Sequence, residues 1–169
     1  MKTLLRNLNL YDVPAIAVLA NNIKIQNNVR DSFPHPYTEN DAKMFIESVQ
    51  NESPQTTFAI EYEGVLTGVT GLIIQSDVYR LNAEVGYWLG EPFWGKGIAV
   101  EALNLITHYA FDKLKLARIY ASVFEYNKPS MRVLEKAGFN LEGISKKAII
   151  KNGTICDEFR YSKINPALL

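Results

Sequence analysis

The chain has 169 residues, 47% hydrophobic and 21% charged, and its 18 Lys and Arg balance its 18 Asp and Glu to a formal net charge of +0 at pH 7. That size and balance predict one domain over residues 1–169 with a sizeable core, and without a block of like charge they argue against a nonspecific nucleic-acid binder or a membrane-surface protein. The start, Met1-Lys2-Thr3-Leu4-Leu5-Arg6, lacks a signal-like apolar segment and no run reaches membrane-spanning length, so a cytoplasmic location is expected. A lone Cys156 predicts a reduced, packed thiol, and with only His35 and His108 beside it no metal-ligand cluster is expected.

In chain order, residues 2–8 read as an opening strand. Asp12-Val13-Pro14 starts a helix to about residue 22, with Asp as the cap and Pro in the first turn. Residues 21–37 form a connection with room for a short helix, stiffened by Pro34 and Pro36, before Thr38, Glu39 and Asp41 introduce a helix to about residue 51. Residues 57–62 and 65–74 are β-rich and flank Glu63-Gly64, which predicts an antiparallel hairpin. After a turn at 75–82, a strand at 84–89 places Glu84, Gly86 and Trp88 on one face and Val85, Tyr87 and Leu89 on the other. The next helix keeps Ala99, Leu103, Ile106, Ala110 and Leu114 on one stripe. A strand at 118–124 and a helix at 128–136 stopped by Gly138 follow, and residues 139–150 and 154–164 form a hairpin across Asn152-Gly153. Two hairpins and one strand-helix-strand crossover imply an α/β or α+β chain with a mixed, mostly antiparallel sheet.

The stretch Phe93-Trp94-Gly95-Lys96-Gly97-Ile98-Ala99 joins the 84–89 strand to the helix, and four of the ten glycines, Gly86, Gly90, Gly95 and Gly97, fall within twelve residues. A helix starting there offers N–H groups without intrahelical partners and the positive end of its dipole, which suits a phosphate or pyrophosphate. The spacing is neither a Walker loop nor a dinucleotide fingerprint. With Asn127-Lys128-Pro129-Ser130 and Lys136-Ala137-Gly138-Phe139 downstream, the chain resembles the GNAT superfamily of acetyl-CoA-dependent N-acetyltransferases, and its RimJ/RimL branch in particular. That resemblance implies a sheet whose central strands, here 84–89 and 118–124, splay around the pantetheine arm of the cofactor. It implies a cytoplasmic enzyme, monomer or homodimer, that moves acetyl from acetyl-CoA, without a metal, to a primary amine by direct attack in a ternary complex. The acceptor is a peptide or ribosomal-protein N-terminus or a small amine such as an amino acid, polyamine or drug. A noncatalytic acyl-CoA-binding module is the alternative.

The resemblance also distributes roles. Leu89, Trp94, Gly95, Lys96, Gly97, Ile98 and Ala99 fall at cofactor-binding positions, the amides carrying the pyrophosphate, although Trp94 stands where relatives often have Gln or Arg. Asn127 touches the pantetheine arm in the family pattern, and by its position it also reads as a helix cap. Lys96, Lys128 and Arg132 could meet the cofactor's phosphates, although such residues are more often solvated surface charges. Leu134 occupies the place where many members carry the Tyr that protonates the departing thiolate, so the duty passes to Ser130, with Tyr126 in reserve. The acceptor's ammonium proton needs a base, for which Glu142 in Leu141-Glu142-Gly143 and Glu84 are the candidates; a carboxylate in a partly apolar cleft suits the task and a solvated one does not. The loops at 27–37 and 75–82 are expected to shape the acceptor pocket.

Overall fold

A computed structural model describes residues 2–168; Met1 and Leu169, the ends of the expected domain, lie outside the described residues. Among those residues the strands are β1 (Thr3–Arg6), β2 (Thr57–Tyr62), β3 (Val65–Ile74), β4 (Asn82–Leu89), β5 (Arg118–Phe124), β6 (Asn140–Lys151) and β7 (Thr154–Ile164). The helices are α1 (Val13–Ala20), α2 (Ile23–Gln26), α3 (Glu39–Val49), α4 (Ile98–Asp112) and α5 (Lys128–Lys136). Hydrogen bonding links the strands in the order β1-β2-β3-β4-β5-β7-β6. The registers are antiparallel for β1–β2, β2–β3, β5–β7 and β6–β7 and parallel for β4–β5. This is the expected mixed α+β fold. The parallel pair follows from the β4-α4-β5 crossover, since only a long connection returns a strand in the same direction.

The chain gathers into two compact units, one formed by residues up to Gly71 with Tyr87–Ala102, the other by Leu72–Gly86 with Leu103 onward. In the first, the period of two along β2 sends Ala59 to one apolar cluster and Ile60 to another. Ala59, Leu66, Val69 and Trp88 pack with α1 and α3 through Ile16, Ala20, Ala42 and Ile46, while Ile60 and Leu89 pack with Ile98 and Ala102 of α4. The β2–β3 hairpin turns at Glu63 and Gly64, both at positive φ (52° and 80°), the two-residue turn whose twist matches its strands.

One cap differs from the expectation. Asp12 makes no side-chain cap for α1; a 3₁₀ turn over Leu10–Asp12 precedes the helix, and Asn9 caps it by accepting from the Tyr11 N–H at 2.9 Å. Asp12 instead accepts from the Asn9 N–H and from both terminal nitrogens of Arg6, at 2.8 and 2.9 Å. Burial pushes the Asp12 carboxyl up, but Arg6 and Asn9 outweigh it and hold the group below the usual carboxylate range. Thr38 does cap α3, in a reciprocal box with Asp41.

In the second unit, β5 alternates inward Ile119, Ala121 and Val123 with outward Arg118, Tyr120, Ser122 and Phe124. The β6–β7 hairpin closes at Asn152 and Gly153 (φ 51° and 75°), and its register breaks twice, between Ser145 and Ile149 and between Leu141 and Gly143. Helix α4 ends at Asp112, so Leu114, expected on its apolar stripe, lies beyond it. Cys156 is buried and in no disulfide, and burial pushes its thiol up.

Candidate active site

In the first unit, a 3₁₀ turn over Glu91–Phe93 leads from β4 to α4. Asn22 Nδ2 donates to Glu91 at 2.7 Å and Lys24 pairs with the same carboxylate, so Lys24, then Asn22, hold it below its ordinary range. This anchors the approach to the glycine loop against the α1–α2 connection. Gly95 and Gly97 then adopt φ of +75° and +80°, and a Cβ at either would meet nothing within 4 Å. Conformation, not crowding, requires glycine there, because L side chains avoid that region. The first helical bond of α4 runs from the Glu101 N–H to the Gly97 carbonyl (3.1 Å), so the amides of Ile98, Ala99 and Val100 precede the helix's own hydrogen bonding. Together they form a run of backbone donors at a helix start, an arrangement that suits a pyrophosphate.

The side chains around those amides are otherwise engaged. Ile98 is buried in the core and offers its backbone only. Trp94 Nε1–H donates to the Leu89 carbonyl at 2.8 Å, which fixes the indole to the strand end and uses its one donor within the protein. Leu89 itself is buried beside Ile60 and Ile98. Lys96 Nζ lies 5.6 Å over the Phe93 ring. A second feature of this unit was absent from the sequence reading: Phe33 and Tyr37 of the 27–37 loop pack at 5.0 Å, and Phe33 meets Trp88 edge-on at 5.9 Å. Burial, with Asp41 nearby, pushes the Tyr37 hydroxyl up to about 12.

In the second unit, Asn127 caps α5: its side chain accepts from the Ser130 N–H at 3.3 Å, and Pro129 stands in the first turn. Ser130 is half-buried there. Leu134 is fully buried, a core residue and not a vacancy left by a missing Tyr. Tyr126 is exposed, its ring 5.8 Å from Phe124, and Lys128 Nζ lies 4.9 Å over Phe159. Glu84 is half-buried on β4, in register with Tyr120 of β5. Glu142 falls in the second register break of β6, a bulge, and pairs with Arg118 Nη2. It is exposed and ion-paired, which differs from the partly apolar setting expected of a base. His108 is an exposed surface residue beside Asp112 (3.0 Å).

Sequence reasoning overlooked Arg118, Tyr120 and Arg160. The Arg118 guanidinium lies 4.9 Å from the Tyr120 ring centroid and the Arg160 guanidinium 5.1 Å from the same centroid. Alternation in β5 and β7 could have put these residues outward, but their meeting depends on strand register. Among the described residues no group of three or more His, Cys, Asp or Glu side chains is placed to hold a metal ion, and no helix is long and apolar enough to cross a membrane.

Residues 2–140 match the family model described as the acetyltransferase (GNAT) domain. The probable N-acetyltransferase YjcK of Bacillus subtilis (strain 168) is 49% identical over 85 residues, which cover 50% of this chain and 47% of that protein, so the chain spans about half of that relative. RimL, a ribosomal L7/L12 α-N-protein acetyltransferase solved with coenzyme A, superposes with a TM-score of 0.86 at 25% identity, covering 99% of this chain and 96% of that one. The spermidine N-acetyltransferase of Vibrio cholerae, solved with CoA and spermine, gives 0.81 at 26% identity, covering 96% and 95%. With the glycine loop, the crossover and the fold agreeing, the chain belongs to the GNAT acetyltransferase family.

Proposed function

We propose that the protein transfers an acetyl group from acetyl-CoA to a primary amine by direct attack in a ternary complex, in the manner of the RimJ/RimL branch, as a single GNAT domain in the cytoplasm. The observation that carries this is the pair of left-handed glycines, Gly95 and Gly97, opening α4 inside the stretch matched to the family model. Their amides, with those of Ile98 and Ala99, take the pyrophosphate, while Leu89, Trp94 and Lys96 border it. Acetyl-CoA supplies the thioester carbonyl that the amine attacks.

The remaining roles fall to named side chains. Asn127 orients the pantetheine arm with the part of its amide not used in capping. Ser130 gives the departing thiolate a proton, with Tyr126 as the spare donor. A carboxylate, Glu142 or Glu84, accepts the ammonium proton; Glu142 is held in place by its Arg118 pair, and the half-buried Glu84 is the drier alternative. The acceptor is either a protein N-terminal α-amine, the class named for RimL, or a small amine, the class named for the spermidine enzyme.

The test is acetyl-CoA titration by calorimetry together with CoA release over a panel of peptides, amino acids and polyamines. Binding with acceptor-dependent release is expected. Binding without release from any acceptor would leave a noncatalytic acyl-CoA module, and absence of binding would remove the reading altogether.

A further inference from the structure

Within the second unit, strands β5, β6 and β7 assemble a continuous chain of contacts, Glu142, Arg118, Tyr120, Arg160, Glu158, with a carboxylate at each end and the two guanidinium groups flanking the ring. Arg118 pairs with Glu142 and donates to Asn82 Oδ1 at 3.3 Å. Arg160 pairs with Glu158 at 3.0 Å, two residues along the same face of β7. The Tyr120 ring lies between the two pairs, with a guanidinium about 5 Å from it on each account. The two ion pairs are built in opposite senses. In the first the carboxylate is the more open member, with Glu142 42% and Arg118 23% exposed; in the second the cation is, with Arg160 44% and Glu158 14% exposed. The surface therefore presents one carboxylate and one guanidinium to solvent, on either side of an aromatic ring.

A polyamine is poorly served by this arrangement. One ammonium can meet the open Glu142, but the open Arg160 on the far side of the ring repels a second. A molecule carrying an amine and a carboxylate is complementary to both ends. We infer that the chain selects an acceptor whose primary amine is accompanied by a carboxylate, the ammonium meeting Glu142 and the carboxylate meeting Arg160. This rests on the acetyl-transfer reading in taking Glu142 to face the acceptor. A charge-assisted hydrogen bond of this kind is worth roughly tenfold or more in affinity.

The experiment uses the full chain and matched acceptors: β-alanine against β-alaninamide, the C-terminally amidated tripeptide Ala-Glu-Ala against Ala-Gln-Ala, and spermidine. Two readouts are taken, kcat/KM from CoA release and calorimetric affinity in the presence of CoA. The carboxylate member of a pair should be preferred about tenfold, through KM. Arg160→Gln should abolish that preference and Arg160→Lys should restore part of it. The pair showing the preference tells a free amino acid from a peptide terminus. Spermidine outperforming both pairs, or a preference that survives in Arg160→Gln, overturns the inference while leaving acetyl transfer intact. A preference in binding without CoA release from any acceptor upholds it and defeats the transfer reading instead.

Discussion

The chain opens two helices beside candidate chemistry, and it opens them in opposite ways. Helix α4 begins behind Gly97, which has no side chain to lend, so the amides of its first turn are left without a side-chain cap. Helix α5 begins behind Asn127, whose side chain takes the Ser130 N–H, and Pro129 removes another donor from the same turn. The first helix start keeps its donors for a guest, whereas the second spends them internally and presents side chains. A helix terminus thus becomes an anion site only where local sequence withholds the usual cap.

The sharpest way to break this contrast is Ser130→Ala. If the α5 terminus works through side-chain chemistry, turnover should drop by about a hundred- to ten-thousand-fold with acetyl-CoA affinity kept, measured by steady-state kinetics and calorimetry. Near-normal turnover would hand the role to Tyr126 or to solvent. Gly97→Glu attacks the other helix. It forces a side chain into a φ of +80° and sets a negative charge against the phosphates, so acetyl-CoA binding should become roughly a hundredfold weaker while the circular dichroism stays native. Unchanged affinity would remove the cradle from the mechanism.

Glu142→Gln sharpens the comparison between an exposed, paired carboxylate and a half-buried one. Turnover should fall about tenfold near neutral pH and recover as the pH approaches the acceptor's own pKa, where free amine is abundant. If the Glu142 variant keeps the wild-type pH–rate profile and Glu84→Gln alters it, the base is Glu84. The smallest effect is expected from Asn127→Ala, which deletes the cap and should cost about 1 kcal/mol, a fall of roughly 2–4 °C in Tm. Loss of acetyl-CoA affinity in that variant beyond its Tm change would mark the pantetheine contact; affinity equal to wild type would leave Asn127 as a cap alone.

Local rules were enough for much of this protein. The Glu63-Gly64 and Asn152-Gly153 dipeptides each admit positive φ at two successive positions and so place their hairpins, while the bounds of β5 and α5 match those expected from alternation and from Asn, Pro and Gly punctuation. The glycine loop was legible for the same reason, since its torsions are a property of the residues themselves. Asp12 was misread as a cap because its partner Arg6 is brought to it only when β1 and the following turn are in place.

The charged chain through Tyr120 belongs wholly to the tertiary structure. A regular hairpin closing at Asn152-Gly153 would set Arg160 opposite Ser145; the break between Ser145 and Ile149 brings Gly143 there instead, and the break between Leu141 and Gly143 leaves Glu142 in a bulge. Nothing local to Leu141-Glu142-Gly143 announces that slip, because a bulge is chosen by how the strand fits its partner. Sequence alone therefore determined which residues turn, alternate or cap, each a matter of a few neighbouring torsions. Which distant charges meet, and which of each pair is left open to an acceptor, was decided by strand register and packing, whose energies are summed over residues far apart in the chain.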